Sequence, residues 1–298
     1  MSAAIDTLRV RTFFSQPARV QASDFLRREI SARMHERLQL VKITPRRVLD
    51  AGCGAGADLA MLRKDFSGAQ IVGLDAAPAM IKAAQGPASA LASLNQLVAR
   101  LLPIKSGVDL LCGDFGNLAL AANTIDLVWS NLALHWHAQP DVVFAEWHRV
   151  LRADGLLMFS CFGPDTFKEV KAAFVDAGLA PPALPFVDMH DFGDMLVQAG
   201  FATPVLDMET ITVTYASAQA LLLDVRAWGG NPLATRERGL TGKLAWQRML
   251  DALERMRRPD GKIGLSFEIN YGHAFRPQPR VTRAGEAIIR FDLPRPSK

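Results

Sequence analysis

Cysteine is scarce in this chain. Cys53, Cys112 and Cys161 are far apart, and no C-x-x-C pair occurs. That excludes zinc-ribbon spacing and a dithiol redox pair, and no metal site is expected. An odd number of cysteines in apolar sequence settings points to a reducing compartment, so the expected location is cytoplasmic. Long apolar runs are missing as well. No stretch approaches the roughly 18 consecutive apolar residues of a membrane span, and Met1–Asp6 lacks the basic start and apolar run of a secretory signal. Excess charge is also absent. Lys and Arg number 34 against 30 Asp and Glu, a net charge of +4, which makes no whole-chain case for nucleic-acid binding. Internal repeats are not found.

What remains is an ordinary globular composition. Of 298 residues, 49% are hydrophobic and 21% charged, enough for one large domain spanning 1–298. Charge is uneven locally: from Arg236 to Arg258, seven Lys or Arg face three Asp or Glu. Such a basic stretch suits an acidic partner or a carboxylate substrate, or forms a solvated helix face.

Strand-like and helix-like segments alternate through about residue 205. Apolar strands are predicted at Arg47–Asp50, Gln70–Asp75, Val108–Cys112, Thr124–Ser130 and Leu156–Ser160. Helices are predicted at 57–66, after Pro78, at 88–102 and over Asp141–Leu151, the last ended by Gly155. Further helices are expected at 165–177 and 188–199, and a sixth strand at Pro204–Thr214. Two more helices, 217–228 and 241–257, the latter capped by Thr241, precede a seventh strand at Ile263–Tyr271. Apolar strands each followed by a helix predict a parallel sheet covered on both faces. The expected fold class is α/β: a Rossmann-like sheet of seven strands, with a helical cap (216–260) inserted between the last two. Residues 276–298 read as a basic, Pro-containing tail.

One loop carries chemistry. The first strand ends in Asp50 and runs into Gly52-Cys53-Gly54-Ala55-Gly56, then a helix. Glycine is needed where a backbone turns sharply or a ligand approaches main-chain atoms. The loop lies at the carboxyl end of a parallel strand, where open α/β sheets bind ligands. Its G-x-G-x-G spacing differs from the dinucleotide G-x-G-x-x-G. Asp75, 21 residues after Gly54 (75 − 54), ends the second strand and suits two ribose hydroxyls. Asp114 and Phe115 follow the third strand and suit an adenine amino group and ring face. Asn131 ends the fourth strand at the same crevice. The loop has no Lys or Arg for a phosphate. S-adenosyl-L-methionine, which has none, fits, with Asp50 ordering the loop or meeting the methionine ammonium. Gly52, Gly54, Gly56, Ala76 and Met80 complete the expected cofactor set.

Val48–Gly54 with Leu74-Asp75 resembles class I methyltransferases. Asp126–Trp136 and Arg149–Ser160 narrow the likeness to the malonyl-acyl-carrier-protein O-methyltransferases of biotin synthesis. Gly163–Phe167, Leu223–Asn231, Arg238–Gly242 and Tyr271–Phe275 extend it over most of the chain. The same segments are similar to the mitochondrial complex I assembly factor that hydroxylates an arginine. Two departures are visible: the family's N-terminal segment usually carries a Tyr, and Phe13–Val20 has none, and the helix expected at 88–102 is extra.

The resemblance implies an N-terminal helical segment (1–40) lying over the cofactor. It also implies methyl transfer to a free carboxylate, which is already ionised near neutral pH and needs no general base. Arg226 on the first cap helix would orient that carboxylate. His135 and Trp136 would border the transfer site, with Tyr271 and His273 as further positions at a strand end. The expected partner is acyl carrier protein or a small carboxylate, docked by the basic 236–258 segment, with neither nucleic acid nor membrane involved. The other readings are a methyltransferase of another small carboxylate or quinone precursor, and a protein-arginine hydroxylase or respiratory assembly factor.

Overall fold

A computed structural model describes residues 5–21, 24–85, 108–181, 186–229, 231–235 and 242–279. The helix expected at 88–102, the Thr241 cap and most of the tail lie outside these residues. Seven strands form one sheet: β1 (Arg47–Ala51), β2 (Gln70–Asp75), β3 (Val108–Cys112), β4 (Ile125–Asn131), β5 (Leu151–Phe162), β6 (Ala202–Tyr215) and β7 (Ile263–Phe275). Their order is β3-β2-β1-β4-β5-β7-β6, with β1 to β5 parallel and β7 antiparallel to both neighbours. The order reverses between β1 and β4, which opens a crevice at their carboxyl ends.

Alternation along the strands divides the core into two layers. Leu127, Trp129, Leu156 and Met158 face one side, with Ile30 and Met34 of α3 (Phe25–Gln39) and Leu62 of α4 (Leu59–Asp65). Val128, Leu157 and Phe159 face the other, with Phe144 and Trp147 of α6 (Pro140–Val150) and Phe192 of α8 (Met189–Gln198). Both faces being covered explains why the strands read as continuous apolar runs. α5 (Pro78–Ala84) begins with Pro at its first turn, where the missing N–H costs nothing.

Several boundaries differ from the sequence expectation. The helix predicted to stop at Gly155 stops at Val150, because Leu151 is already extended. Gly155 lies inside β5, after Asp154 at φ 63°, where a Cβ would stand 2.8 Å from Arg152 O. It therefore marks a tight fold within the strand. β6 begins at Ala202, before Pro204, and tolerates that proline because it is an edge strand with a register shift there. β7 continues past Tyr271 to Phe275.

The β6–β7 ladder runs to Tyr215↔Ile263, whereas β5 pairs β7 only as far as Phe162↔Ile269. The hairpin thus overshoots the carboxyl end of the parallel strands. Its connection holds α9 (Ala218–Ala227) and α10 (Lys243–Arg255). Leu221 and Leu222 of α9 and Met249, Leu250 and Leu253 of α10 share a core cluster with Val170 and Ala173 of α7 (Lys168–Asp176). The chain's first helices, α1 (Thr7–Phe14) and α2 (Pro17–Gln21), are tied to the same connection. Asp6 N–H donates to Pro232 O (2.8 Å), Arg9 Nε to Asn231 O (3.0 Å) and Arg19 to Arg226 O (3.2 Å).

Candidate active site

The site grows from the turn after β1. Gly52 and Cys53 both donate backbone N–H to Leu74 O of β2, at 2.8 and 3.0 Å. Gly52 has φ 87°, and a Cβ there would lie 2.3 Å from the Ala133 Cβ, so no other residue fits. Gly54, at φ 53°, has nothing within 4 Å of a Cβ position and forms open crevice wall. Gly56 turns away, towards Leu59 and Ala84.

Three carboxylates stand behind this loop. Asp75 accepts the backbone N–H of Gly54 (3.0 Å) and of Ala77 (2.8 Å), which fixes its plane and leaves lone pairs for a ligand. Asp58 accepts Ser31 Oγ (2.7 Å), Trp129 Nε1 (2.9 Å) and Asn131 Nδ2 (3.2 Å). Asp50 is buried, and among the described residues its Oδ2 has no hydrogen-bond partner. Burial, then the nearby Asp58 and Asp75 charges, push the Asp50 carboxyl well above its usual range. Burial raises Asp58 and Asp75 as well, against the hydrogen bonds they accept. A negative, poorly solvated wall of this kind is completed by a cation. The ammonium and sulfonium of S-adenosylmethionine meet that requirement.

The opposite wall comes from β4 and its turn. Asn131 is fully engaged: it donates to Arg27 O (3.0 Å) and Asp58, and accepts Ser160 Oγ (2.9 Å). It therefore clamps α3, the glycine loop and β5 together. Leu132 follows at φ 48°, a left-handed conformation uncommon for a branched residue and held here by Leu132 N–H bonds to Ser160. Ala76, Met80, Phe115 and Trp136 line the crevice with Asp50, Gly52, Gly54, Asp75 and Asn131. Trp136 stacks on Phe13 (6.4 Å between ring centres) and meets Phe14 edge-on (5.4 Å). Phe115 tilts against Trp147 at 5.9 Å.

Not every expected residue reaches the crevice. Asp114 accepts Gly116 N–H (2.8 Å) in a local turn, and its carboxylate is outside the lining. His135 does not line the crevice. Its ring packs between Trp136 (4.9 Å), Phe162 (4.6 Å) and Phe186 (5.8 Å), and among the described residues neither buried ring nitrogen has a hydrogen-bond partner. Burial, with the Arg27 charge nearby, lowers its pKa to about 3, so the ring stays neutral. The two neighbouring rings touch, but Phe162 and Phe186 cover His135, and only Trp136 lines the crevice. Arg226 is exposed on α9, its guanidinium 5.1 Å from the Trp246 ring centre, and is not among the crevice-lining residues. Tyr271 pairs with Ser160 and His273 with Met158, two strands from β4; the Tyr271 hydroxyl donates to Glu209 (2.5 Å) with Arg37 over its ring, and neither residue lines the crevice. Cys112 is exposed rather than apolar in setting.

Sequence reasoning missed Asp58, whose only signal is an acidic residue just after the glycine loop. It also missed Arg27, Val10, Phe14 and Pro17, which line the crevice from the N-terminal helices. No local pattern marks Arg27 or Phe14, whose contacts with Trp228 and Trp136 reach more than a hundred positions along the chain. Among the described residues, no group of three or more His, Cys, Asp or Glu is arranged to hold a metal.

Comparison with known proteins places this geometry among relatives. Residues 49–159 match the methyltransferase domain family. The chain is 45% identical over 291 residues to a malonyl-acyl-carrier-protein O-methyltransferase of Laribacter hongkongensis, covering 96% of each. It is 45% identical over 288 residues to the protein of the same name from Gallionella capsiferriformans, again covering 96% of each. In structure it is similar to YcgJ of Bacillus subtilis, with TM-score 0.54 at 15% identity, covering 83% of this chain and 98% of that one. A Haloferax volcanii protein solved with the Trm112 methyltransferase activator gives TM-score 0.53 at 17% identity, covering 91% of this chain and 98% of that one.

Proposed function

The chain belongs to the malonyl-acyl-carrier-protein O-methyltransferase family, and from that premise we propose that it methylates the free carboxylate of a malonyl thioester carried on acyl carrier protein, as a step of biotin synthesis. The observation that carries this reading is the 45% identity sustained over 96% of both chains, cap and N-terminal helices included. The enzyme is an S-adenosylmethionine-dependent methyltransferase.

When bound, S-adenosylmethionine supplies a methyl group whose bond to sulfur breaks as a carboxylate oxygen forms the new bond, leaving a neutral thioether and a neutral ester. The chain's residues do the rest by holding and drying. Asp75 is the proposed acceptor for the ribose hydroxyls, and the Asp50–Asp58 region the proposed seat of the positive end. Phe115 and Met80 pack the adenine side. Trp136, with Phe13 and Phe14 over it, excludes water where a hydrated carboxylate must lose its shell. No proton has to be removed, because a carboxylic acid is ionised at neutral pH. His135, neutral and unpartnered, is not asked to act as a base.

The proposed partner is acyl carrier protein, engaged at the exposed face of the connection. Lys243, Arg248, Arg255, Arg257, Arg258 and Lys262 are exposed there, with Leu223 and Leu244 exposed beside them. The free cysteines support a cytoplasmic setting. Among the described residues, no helix is long and apolar enough to cross a membrane.

The test is direct. The purified chain is incubated with methyl-labelled S-adenosylmethionine and malonyl-carrier protein, and the product is treated with mild base. Label released as volatile methanol supports the methyl ester. An intact carrier protein without label, in the presence of bound cofactor, sinks the reading.

A further inference from the structure

We propose that Arg27 selects the acceptor: its guanidinium binds the substrate carboxylate on the wall of the crevice facing the cofactor. The inference rests on the reading of the reaction as carboxylate methylation and names the group that recognises that carboxylate.

Arg27 lies in the first turn of α3 and lines the crevice together with Asp50, Asp58, Asn131 and Trp136. Its backbone carbonyl accepts Asn131 Nδ2 (3.0 Å), which locks this turn to the end of β4. The side chain lies over Trp228, just past α9, with the guanidinium carbon 4.4 Å from the ring centre. Phe25 and Phe162 pack on the same indole, at 6.3 and 6.0 Å. The guanidinium plane is therefore held by an aromatic platform that is itself held.

A guanidinium has five N–H donors. Among the described residues, Arg27 makes one side-chain hydrogen bond, a long one of 3.4 Å to Val20 O. It also has no carboxylate of its own. Asp24, on one side, is paired with Arg28 at 2.8 Å. Asp224, on the other, accepts the Tyr215 hydroxyl. Both charges are felt at Arg27, yet burial outweighs them and lowers its pKa to about 10, so it stays charged at neutral pH. A cation in the first turn of a helix also opposes the helix dipole. Structure alone gives such a residue little reason to be charged, whereas an anion in the crevice would satisfy its donors.

The crevice is polarised accordingly. Carboxylates of Asp50, Asp58 and Asp75 stand on the glycine-loop side and suit a cationic cofactor. Arg27 stands on the helical side and suits an anion. Bidentate Arg–carboxylate pairing fixes orientation as well as charge, which is what an in-line attack needs. Arg226, the expected candidate for this role, faces outward and cannot supply it.

The experiment reads binding and turnover separately. The protein loaded with S-adenosylhomocysteine is titrated with malonyl-pantetheine and with acetyl-pantetheine, which lacks the carboxylate. The expected wild-type preference for the malonyl ligand is about 10- to 100-fold, the range for a charge-assisted pair. In Arg27→Gln the two ligands bind equally, S-adenosylhomocysteine binds within threefold of wild type, and KM for the malonyl thioester rises more than kcat falls. Arg27→Lys keeps the charge and most of the packing but loses the fork, and its malonyl affinity falls at least fivefold. A wild-type protein with no preference between the ligands overturns the inference. So does a Gln variant that keeps the preference, or, should that variant not fold, a Lys variant with unchanged malonyl affinity. If the wild type transfers no methyl group to any malonyl thioester, the reaction assignment fails instead, and the ligand preference still decides the role of Arg27.

Discussion

Asp50 illustrates a residue whose stability cost is the counterpart of its function. A buried carboxylate oxygen without a partner, next to two further carboxylates, destabilises the cofactor-free protein. Asp50→Asn removes the repulsion. Its expected signature is a cofactor-free Tm raised by about 2–4 °C, together with S-adenosylmethionine binding weakened about tenfold or more. Calorimetry on the two proteins checks both numbers, and a lower Tm with unchanged affinity would contradict the account. His135 makes the complementary case in pH. Its folded pKa, about 3, lies below the ordinary histidine value, so between the two the unfolded chain takes a proton that the native ring refuses. Stability is therefore lost as pH falls below about 6.5. In urea unfolding at pH 7 and pH 5, His135→Leu should remove up to about 2 kcal/mol of the wild-type loss. Activity near neutral pH, by contrast, should show no ionisation from this ring.

At the scale of elements, three segments far apart in sequence converge on Trp136: α1 through Phe13 and Phe14, the turn after β4, and Gly229 after α9. Gly229 has φ 127°, and a Cβ there would stand 2.1 Å from the Trp136 ring. Gly229→Ala should thus cost about 1–3 kcal/mol from the backbone alone, plus displacement of the indole. Chemical denaturation measures the first, and a fall in kcat with intact cofactor affinity reads the second. The N-terminal helices gain their position the same way. Neither α1 nor α2 is long enough to be stable alone, and their hydrogen bonds to Asn231, Pro232 and Arg226 hold them against the cap connection. The lid over the crevice and the cap connection are accordingly one packed unit.

For the whole molecule, charge distribution matters more than its net value. The chain's small positive excess is locally concentrated on and after α10, where the proposed carrier protein would approach. Charge reversal at Lys243 and Arg248, both exposed, should lower kcat/KM for malonyl-carrier protein about tenfold at low salt and flatten its salt dependence. The same variant should turn over malonyl-pantetheine at the wild-type rate, since that substrate needs no docking surface. Equal rates for wild type and variant on carrier protein at low salt would remove this face as the docking site.

The sequence by itself determined the parallel sheet, the glycine turn and Asp75. Each is local: a buried strand must be apolar on both faces, a turn that takes Gly52 to φ 87° favours glycine, and a strand-end carboxylate follows its strand. The family likeness was legible for the same reason, in contiguous segments such as Ser130–Trp136. Only the tertiary structure decided which polar side chains enter the crevice. Phe162 and Phe186, distant in sequence, cover His135 and leave its neighbour Trp136 on the crevice wall. The strand order put β7 beyond β5, and Tyr271 is taken up by Glu209 and Arg37 and not by the crevice. Arg226 and Arg27 are both arginines on helices, and nothing in their local sequence distinguishes them. The packing of α3 against β4 through Asn131, and of the Arg27 side chain on Trp228 just past α9, holds Arg27 at the crevice, whereas Arg226 is exposed.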